Sequence, residues 1–187
     1  MLRLATLDDI PQLHALIDLS VRKLQAADYS PEQIEGSLGT VFGVDQQLIR
    51  DRTYFVIEAA GRIAACGGWS KRKTLFGSDH VTGKDDAFLD PATEAARIRA
   101  FFVHPDNARQ GLGSQILDAC EQAAAAAGFQ SLELAATLTG EPLYRKHGFQ
   151  AVRRFEVPLG NGASLPIIQM AKRILHPGQP NSHLYRE

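Results

Sequence analysis

Apolar residues near the start of the chain recur every three or four positions, which is the spacing of a helix with one buried face. The periodic stretch runs over about residues 10–24 and follows a short alternating segment at 2–5 that predicts a strand. Thr6, followed three residues later by Asp9, resembles a capping box. We therefore expect the first helix to open there and to continue to about Lys23.

A second, shorter helix is expected after Ser30, a capping residue that is followed directly by Pro31. The later segments predict strands over 53–59, 62–70, 96–105, 131–138, 149–159 and 164–174, and helices over 111–127 and 141–148. Residues 71–94 are rich in glycine and aspartate and predict a long loop, of a kind that is usually functional or mobile.

This order of elements predicts a fold at the boundary between α/β and α+β. We expect a mixed, mostly antiparallel, twisted sheet of about seven strands that is flanked by about four helices. One domain is expected over residues 1–175, followed by an irregular tail at 176–187.

Charge and composition exclude several classes of function. The 20 Lys and Arg residues nearly balance the 21 Asp and Glu residues, and this net charge of -1 argues against a nucleic-acid partner. The two cysteines, Cys66 and Cys120, lack the spacing of a metal site, so no metal is expected. Neither a signal peptide nor an apolar run of about 18 residues is visible, so we expect a cytoplasmic protein without a membrane partner.

The segment with recognisable chemistry is FFVHPDNARQGLGS, residues 101–114. A strand is expected to end in it, a short polar loop follows, and Gly111 and Gly113 open the next helix. Unpaired amides and the helix dipole make such a helix start suited to a phosphate group, and Arg109 adds a cationic donor. The same two glycines also fit a tight turn that binds nothing.

Two familiar phosphate-binding motifs fit this segment poorly. A P-loop requires Lys and then Ser or Thr after its second glycine, whereas Gly113 is followed by Ser114 and Gln115. A dinucleotide-binding fingerprint requires a third glycine at the position of Ile116.

Two motifs together resemble those of the GNAT superfamily of N-acetyltransferases. Residues 108–113, ARQGLG, are similar to the acyl-CoA binding motif Q/R-x-x-G-x-G/A of that family, with alanine at the first position. Residues 143–149, LYRKHGF, are similar to its second hallmark, L-Y-x-x-x-G-F. The resemblance extends over about residues 1–175, and it implies a GNAT-like fold with acetyl-CoA as the co-substrate.

The resemblance also implies where acetyl-CoA binds. Its pyrophosphate is expected on the amides of the loop, and its pantetheine arm is expected along the preceding strand, where two strands splay apart. The residues assigned to cofactor binding on this basis are Phe102, Val103, Arg109, Gln110, Gly111, Leu112, Gly113 and Ser114.

Direct attack of an acceptor amine on the thioester is the reaction that the resemblance implies. Tyr144 of the second motif is expected to be the catalytic acid, because a phenol with a pKa of about 10 is protonated at neutral pH. A backbone N–H near Val103 is the implied donor to the oxyanion. For the catalytic base we expect Glu94, and the alternatives are Asp90, His80, His147 and a route through water.

The sequence thus favours an N-acetyltransferase that acts on a primary amine of a small molecule or a peptide. A homodimer is compatible with the edge strands expected in the C-terminal half. Two alternatives stay open: a catalytically silent module that binds acyl-CoA as a sensor or interaction domain, and a protein that binds another kind of nucleotide.

Overall fold

The computed structural model describes residues 1–80 and 84–174, so the predicted tail at 176–187 lies outside the described residues. The strands in this part of the chain are β1 (Leu2–Leu4), β2 (Tyr54–Ala59), β3 (Arg62–Ser70), β4 (Ala96–Val103), β5 (Ser131–Thr137), β6 (Gln150–Pro158) and β7 (Ser164–Arg173). The α-helices are α1 (Ile10–Leu24), α2 (Pro31–Ser37), α3 (Gln46–Arg50), α4 (Leu112–Ala126) and α5 (Glu141–Lys146).

The strands form one mixed sheet in the order β1-β2-β3-β4-β5-β7-β6. Neighbouring strands are antiparallel except for β4 and β5, which are parallel. The mostly antiparallel sheet of seven strands predicted from the sequence is therefore confirmed, with helices on its faces. The described residues contain one α-helix more than the four predicted, because the five-residue α3 is too short to show a helical period.

Helices α1 and α4 each pack on the sheet through one apolar stripe, and they belong to two separate clusters of buried side chains. The stripe of α1 contains Leu13, Leu16, Ile17 and Val21, and that of α4 contains Ile116, Leu117, Cys120 and Ala124. These are the positions that the helical period predicts. In the described residues, no helix combines the length and the apolar character that crossing a membrane would require.

The predicted capping box at the start of the chain is present. The Thr6 N–H donates to a carboxylate oxygen of Asp9 over 2.7 Å, and the Arg3 guanidinium donates two hydrogen bonds of 2.8 Å to the same carboxylate. The contact with Arg3, supported by that with Thr6, lowers the pKa of Asp9 to about 2. The first turn, Leu7–Asp9, is a 3-10 helix, and α1 continues from Ile10.

Strands β4 and β5 are paired over only a short distance. Their register joins Ala96 to Leu132 and Arg97 to Glu133, and the described residues form no further pair between these strands. Strand β4 nevertheless runs on to Val103, while β5 stays paired with β7 along its whole length. The two strands therefore diverge, and a wedge-shaped gap opens in the middle of the sheet.

A bulge in β4 lies beside Gly67 and Gly68 of β3. Within the bulge, Ala100 has a left-handed backbone with a φ of +56°, and its carbonyl accepts a hydrogen bond of 2.9 Å from the Tyr54 hydroxyl. A methyl group added at Gly67 would lie 2.7 Å from the ring of Phe101. Glycine at this place in β3 therefore lets the aromatic rings around the bulge approach the strand closely.

The long loop predicted at 71–94 is irregular in its described part, apart from one bridge between Arg72 and Phe88. The Arg72 guanidinium donates hydrogen bonds of 2.6 and 2.9 Å to the Asp51 carboxylate and lies 4.4 Å from the centre of the Phe88 ring. These contacts anchor the loop to the segment that follows α3.

We predict that Gly68→Ala lowers the free energy of unfolding by about 1–3 kcal/mol, because the new methyl group forces overpacking. It would lie 2.6 Å from the Thr53 carbonyl oxygen, a backbone atom that cannot move aside. Urea unfolding of both proteins measures the loss. The control is Gly160→Ala, whose methyl group would meet no atom within 4 Å; equal stability of the two variants would contradict the prediction.

Candidate active site

The gap between β4 and β5 opens into a cavity of about 570 Å³. Residues of β4, of the loop before α4 and of α5 line it. The end of α1, residues 41–43 and residues 75–77 complete the lining together with residues of β5 and β7. Pockets for small molecules commonly have volumes of about 300–1,000 Å³, so this cavity is large enough to hold one.

Six consecutive backbone N–H groups, from Arg109 to Ser114, have no hydrogen-bond partner among the described residues. The N–H groups on either side are bonded: that of Ala108 to the Pro105 carbonyl and that of Gln115 to the Gly111 carbonyl. We call residues 109–114 the amide cradle. It offers unpaired donors at the start of a 15-residue helix, which is the arrangement that binds phosphate groups.

Backbone conformation and charge both suit the amide cradle to an anion. Arg109 and Gly111 have left-handed backbones, with φ of +62° and +82°. Left-handed residues in such a loop form the concave arrangement of N–H groups known as a nest. Of the residues that the sequence assigned to the cradle, Gln110 does not line the cavity; its side chain donates to the Asp106 carbonyl over 3.0 Å.

Helix α5 is joined directly to the amide cradle. The Nε2 atom of His147 lies 2.9 Å from the Ser114 hydroxyl oxygen, and the His147 Nδ1 atom lies 3.5 Å from the Asp118 carboxylate. A methyl group at Gly113 would lie only 3.1 Å from the Leu143 side chain. The absence of a side chain at Gly113 therefore allows α5 to rest against the first turn of α4.

Tyr144 lies on α5 and faces the cavity. Its side chain is only 8% exposed, and its ring packs edge-on against Phe101 and Phe149, with centroid distances of 6.1 and 5.8 Å. Burial raises the pKa of the Tyr144 phenol above its ordinary value, so the group is protonated at neutral pH. The arrangement gives the cavity one well-positioned proton donor.

Phe102 and Val103, the β4 residues assigned to cofactor binding, both line the cavity. The Phe102 ring packs edge-on against Phe42 at 6.1 Å. The Val103 N–H, however, donates to the Ser20 hydroxyl oxygen over 3.3 Å. The Val103 N–H itself therefore already has a partner on α1, and the expected oxyanion donor near Val103 stays a prediction for its neighbours on the strand.

None of the side chains considered as a catalytic base lines the cavity. The Glu94 carboxylate accepts a hydrogen bond of 2.8 Å from the Asp90 N–H, within a turn that precedes β4. Neither Asp90 nor His80 is a lining residue, and His147 is held by its contacts with α4. The structure therefore brings Tyr144 to the cavity together with the amide cradle, but it does not bring Glu94 there.

Arg99 is a buried cation in the wall of the cavity. A charged side chain on a strand is usually solvated, but that of Arg99 is only 4% exposed. The Arg99 guanidinium donates hydrogen bonds to the Asp45 carboxylate at 2.8 Å and to the Thr74 and Gly77 carbonyls at 3.0 and 2.7 Å. It thereby ties the segments around residues 45 and 77 to β4.

Two polar residues were also missed in the sequence analysis, one within α1 and one directly after its last residue. Ser20 sits on the buried stripe of α1, so a hydroxyl among apolar positions was a signal that could have marked it. Gln25 follows the last residue of the helix and lines the cavity, although it is only 7% exposed. Its Oε1 atom is buried and has no hydrogen-bond partner in the part of the chain that is described.

A comparison with protein families identifies the part of the chain that contains much of the cavity lining. Residues 50–151 match the family model described as "Acetyltransferase (GNAT) domain". The matched span contains β4, the amide cradle and Tyr144. No curated protein sequence matches the chain.

Solved structures with the same fold include three N-acetyltransferases. A GCN5-related N-acetyltransferase from Rhodopseudomonas palustris is 23% identical, with a TM-score of 0.69 over 92% of this chain and 94% of that one. PaiA N-acetyltransferase from Thermoplasma acidophilum, solved in complex with coenzyme A, is 12% identical, with a TM-score of 0.61 over 92% and 98%. The ribosomal-protein-S18-alanine N-acetyltransferase from Escherichia coli is 19% identical, with a TM-score of 0.57 over 100% and 99%. At these identities the likeness shows the fold, and it confirms the one expected from the two motifs.

We predict that Asp45→Asn lowers the free energy of unfolding by about 3–5 kcal/mol, because it leaves the buried Arg99 cation without a carboxylate. Chemical denaturation measures the loss. The matched control is Glu35→Gln, which breaks an exposed ion pair with Arg22 and should leave stability close to that of the parent. A loss at Asp45 no larger than that at Glu35 would contradict the prediction.

Proposed function

The chain belongs to the GNAT acetyltransferase family, and on this basis we propose that it transfers an acetyl group from acetyl-CoA to a primary amine. The observation that carries the proposal is the amide cradle, whose unpaired N–H groups adjoin the gap between β4 and β5. Of the fold relatives named above, PaiA is solved with coenzyme A, which agrees with the same use of this site.

The amide cradle fits the diphosphate of a CoA molecule. Its backbone donors and the dipole of α4 favour the negative charge, and Arg109 adds a guanidinium that matches phosphate oxygens. Gly111 leaves open space where a side chain would otherwise stand, since an added methyl group would meet no atom within 4 Å. Lys146, another lining residue, contributes a second positive charge near the same loop.

The gap in the sheet fits the pantetheine arm. Because β4 and β5 stop pairing after Arg97 and Glu133, an extended chain with amide groups can lie between them. Phe102 and Val103 supply the wall on the β4 side. When bound there, acetyl-CoA supplies an acetyl group that is activated as a thioester.

In the proposed reaction, the amine nitrogen forms a bond to the acetyl carbon, and the carbon–sulfur bond breaks with its electron pair going to sulfur. The sulfur gains one proton, and the proton that the amine loses returns to the group that supplied it. Tyr144 is the proposed donor of the proton to sulfur, since its buried phenol is protonated and faces the cavity. We assign no base role to Glu94, because its carboxylate lies in a turn that does not line the cavity.

A second function, a silent module that binds acyl-CoA, is favoured by one observation. The described residues that line the cavity include no Asp, Glu or His, and therefore no ordinary catalytic base. Turnover decides between the two functions: a silent module binds acetyl-CoA and acetylates no amine.

We predict that acetyl-CoA at about 100 times its Kd raises the free energy of unfolding by about 2.7 kcal/mol, and that ATP and NAD stabilise less. Arg109→Ala should weaken acetyl-CoA binding by about 10- to 100-fold, because a hydrogen bond to a charged group is lost. Urea unfolding with and without each ligand measures the stabilisation, and calorimetric titration measures the affinities. The control is Arg50→Ala, an exposed arginine of α3 outside the cavity. Equal affinities of the two variants would argue against the cradle as the anion site.

We predict that Tyr144→Phe lowers kcat by about 100- to 10,000-fold, since it removes a general acid. The KM for acetyl-CoA and the thermal midpoint should stay close to those of the parent, because the ring keeps its packing against Phe101 and Phe149. Steady-state kinetics across pH measure the change. A variant with parent-like kcat at every pH would remove the acid role from Tyr144.

A further inference from the structure

The charged side chains of the cavity carry an inference about the acceptor, which rests on the proposed function. Among the described lining residues, these side chains are Arg99, Arg109 and Lys146, and there is no carboxylate. Arg109 and Lys146 belong to the end of the cavity that holds the amide cradle. Arg99 lies on β4, at the part of the wall shared with residues 41–43 and 75–77. An ammonium group in that part would meet a cation and find no counterion.

The carboxylates near Arg99 lie behind the wall of the cavity. Asp45 is shared between the Arg99 guanidinium at 2.8 Å and the Lys84 ammonium at 3.1 Å, and Asp86 also lies close enough to act on Arg99. Neither carboxylate lines the cavity, so the charged side chain that the lining presents there is Arg99. Asp28, next to the lining residue Thr139, is exposed to solvent and already accepts a hydrogen bond of 2.6 Å from the Thr139 hydroxyl.

The rest of this part of the cavity is apolar. Its lining side chains include Val41, Phe42, Leu75, Phe76 and Ile167. Such walls favour an acceptor with an apolar body, because burial removes hydrocarbon from water. They also disfavour a charged nitrogen, which would lose its hydration without a partner.

Two lining side chains have a buried oxygen without a partner in the described part of the chain: Gln25, at the end of α1, and Asn107, beside the amide cradle. The Gln25 side chain lines the cavity, and the residue is only 7% exposed. Its Oε1 atom has no hydrogen-bond partner among the described residues. A buried carbonyl oxygen without a donor is unfavourable, so a ligand that brings an N–H group is favoured. A neutral amine brings such a group and still keeps its lone pair for attack.

We infer that the acceptor is an apolar amine of low basicity, such as the α-amino group of an apolar residue, and that it enters uncharged with an N–H directed to Gln25. Alkylammonium groups, such as the lysine side chain or polyamines, are disfavoured. The proton balance agrees with this choice. Tyr144 delivers one proton to sulfur, and the proton that the neutral amine gives up returns to the Tyr144 phenolate, so no carboxylate is needed to accept a proton.

The first test compares two acceptors that differ in the basicity of the amine, leucinamide and Nα-acetyl-lysinamide. An α-amino group with a pKa of about 7.8 is about one-third neutral at a pH of about 7.5, whereas an ε-amino group with a pKa of about 10.4 is neutral in about one molecule in 800. We expect kcat/KM to be roughly 250-fold higher for leucinamide. Equal values, or a preference for the lysine derivative, would overturn the inference and leave acetyl transfer itself established. Failure to bind acetyl-CoA, or to acetylate any amine, would instead overturn the proposed function.

The second test separates the basicity of the acceptor from the chemistry of the protein. Log kcat/KM should rise with pH up to the pKa of whichever amine is used, so the midpoint should move when the acceptor is changed. Calorimetric binding of leucinamide to the CoA-bound protein should strengthen roughly 17-fold between pH values of about 6.5 and 8.5, as the neutral fraction grows. A midpoint that stays the same for all acceptors would reveal a base on the protein and would contradict the inference.

The third test examines Gln25 directly. Gln25→Leu should raise the KM for leucinamide several-fold and leave the KM for acetyl-CoA unchanged. Gln25→Glu, which places a carboxylate in the wall, should shift the preference toward the lysine derivative. Gln122→Leu, an exposed position of α4 outside the cavity, is the matched control. If Gln25→Leu raised the KM for acetyl-CoA and left the KM for leucinamide unchanged, the side chain would contact the cofactor, and its proposed role toward the amine would be overturned.

Discussion

The parting of β4 from β5 is the constraint on which the rest of the structure depends. Two parallel strands that pair only at Ala96–Leu132 and Arg97–Glu133 leave backbone groups unpaired in the middle of a sheet, where such groups normally have partners. Helix α1 meets part of this demand, since Ser20 reaches across to the Val103 N–H. The backbone groups that stay unpaired and the open gap leave room for an extended ligand. The amide cradle lies at one end of this space and Tyr144 lies beside the gap, so the two ends of the ligand would meet different groups.

A buried ion pair holds the wall of the cavity around Arg99 in place. The pair of Asp45 and Arg99 joins residues that are 54 positions apart in the chain and holds the wall segments against β4. A buried ion pair is seldom a large net source of stability, but it strongly disfavours arrangements in which either partner is left alone. The pair therefore specifies where the wall lies, and it leaves Arg99 rather than Asp45 among the residues that line the cavity.

Local patterns predicted most of the fold and one end of the site. The apolar period of α1 and α4, the strands predicted over 53–59 and 62–70, and the two glycine-containing motifs are all contained in short windows, so they can be predicted from the chain alone. The position of Glu94, the burial of Arg99 and the incomplete bonding of Gln25 depend on which segments meet in space. No window of sequence contains both Asp45 and Arg99. For this reason the sequence could name residues of the loop before α4 and Tyr144, most of which line the cavity, whereas the wall around Arg99 could not be anticipated.

The close approach of α5 to α4 at Gly113 has a mechanical consequence. Leu143 and His147 touch the first turn of α4 on either side of that contact, one through packing and the other through the Ser114 hydroxyl. The phenol of Tyr144, the proposed acid, is therefore carried by a helix that rests on the residues proposed to hold the diphosphate. Under the proposed reaction, a shift of the amide cradle on release of CoA would be transmitted through these contacts to the phenol, so that product release and reprotonation of Tyr144 would be coupled.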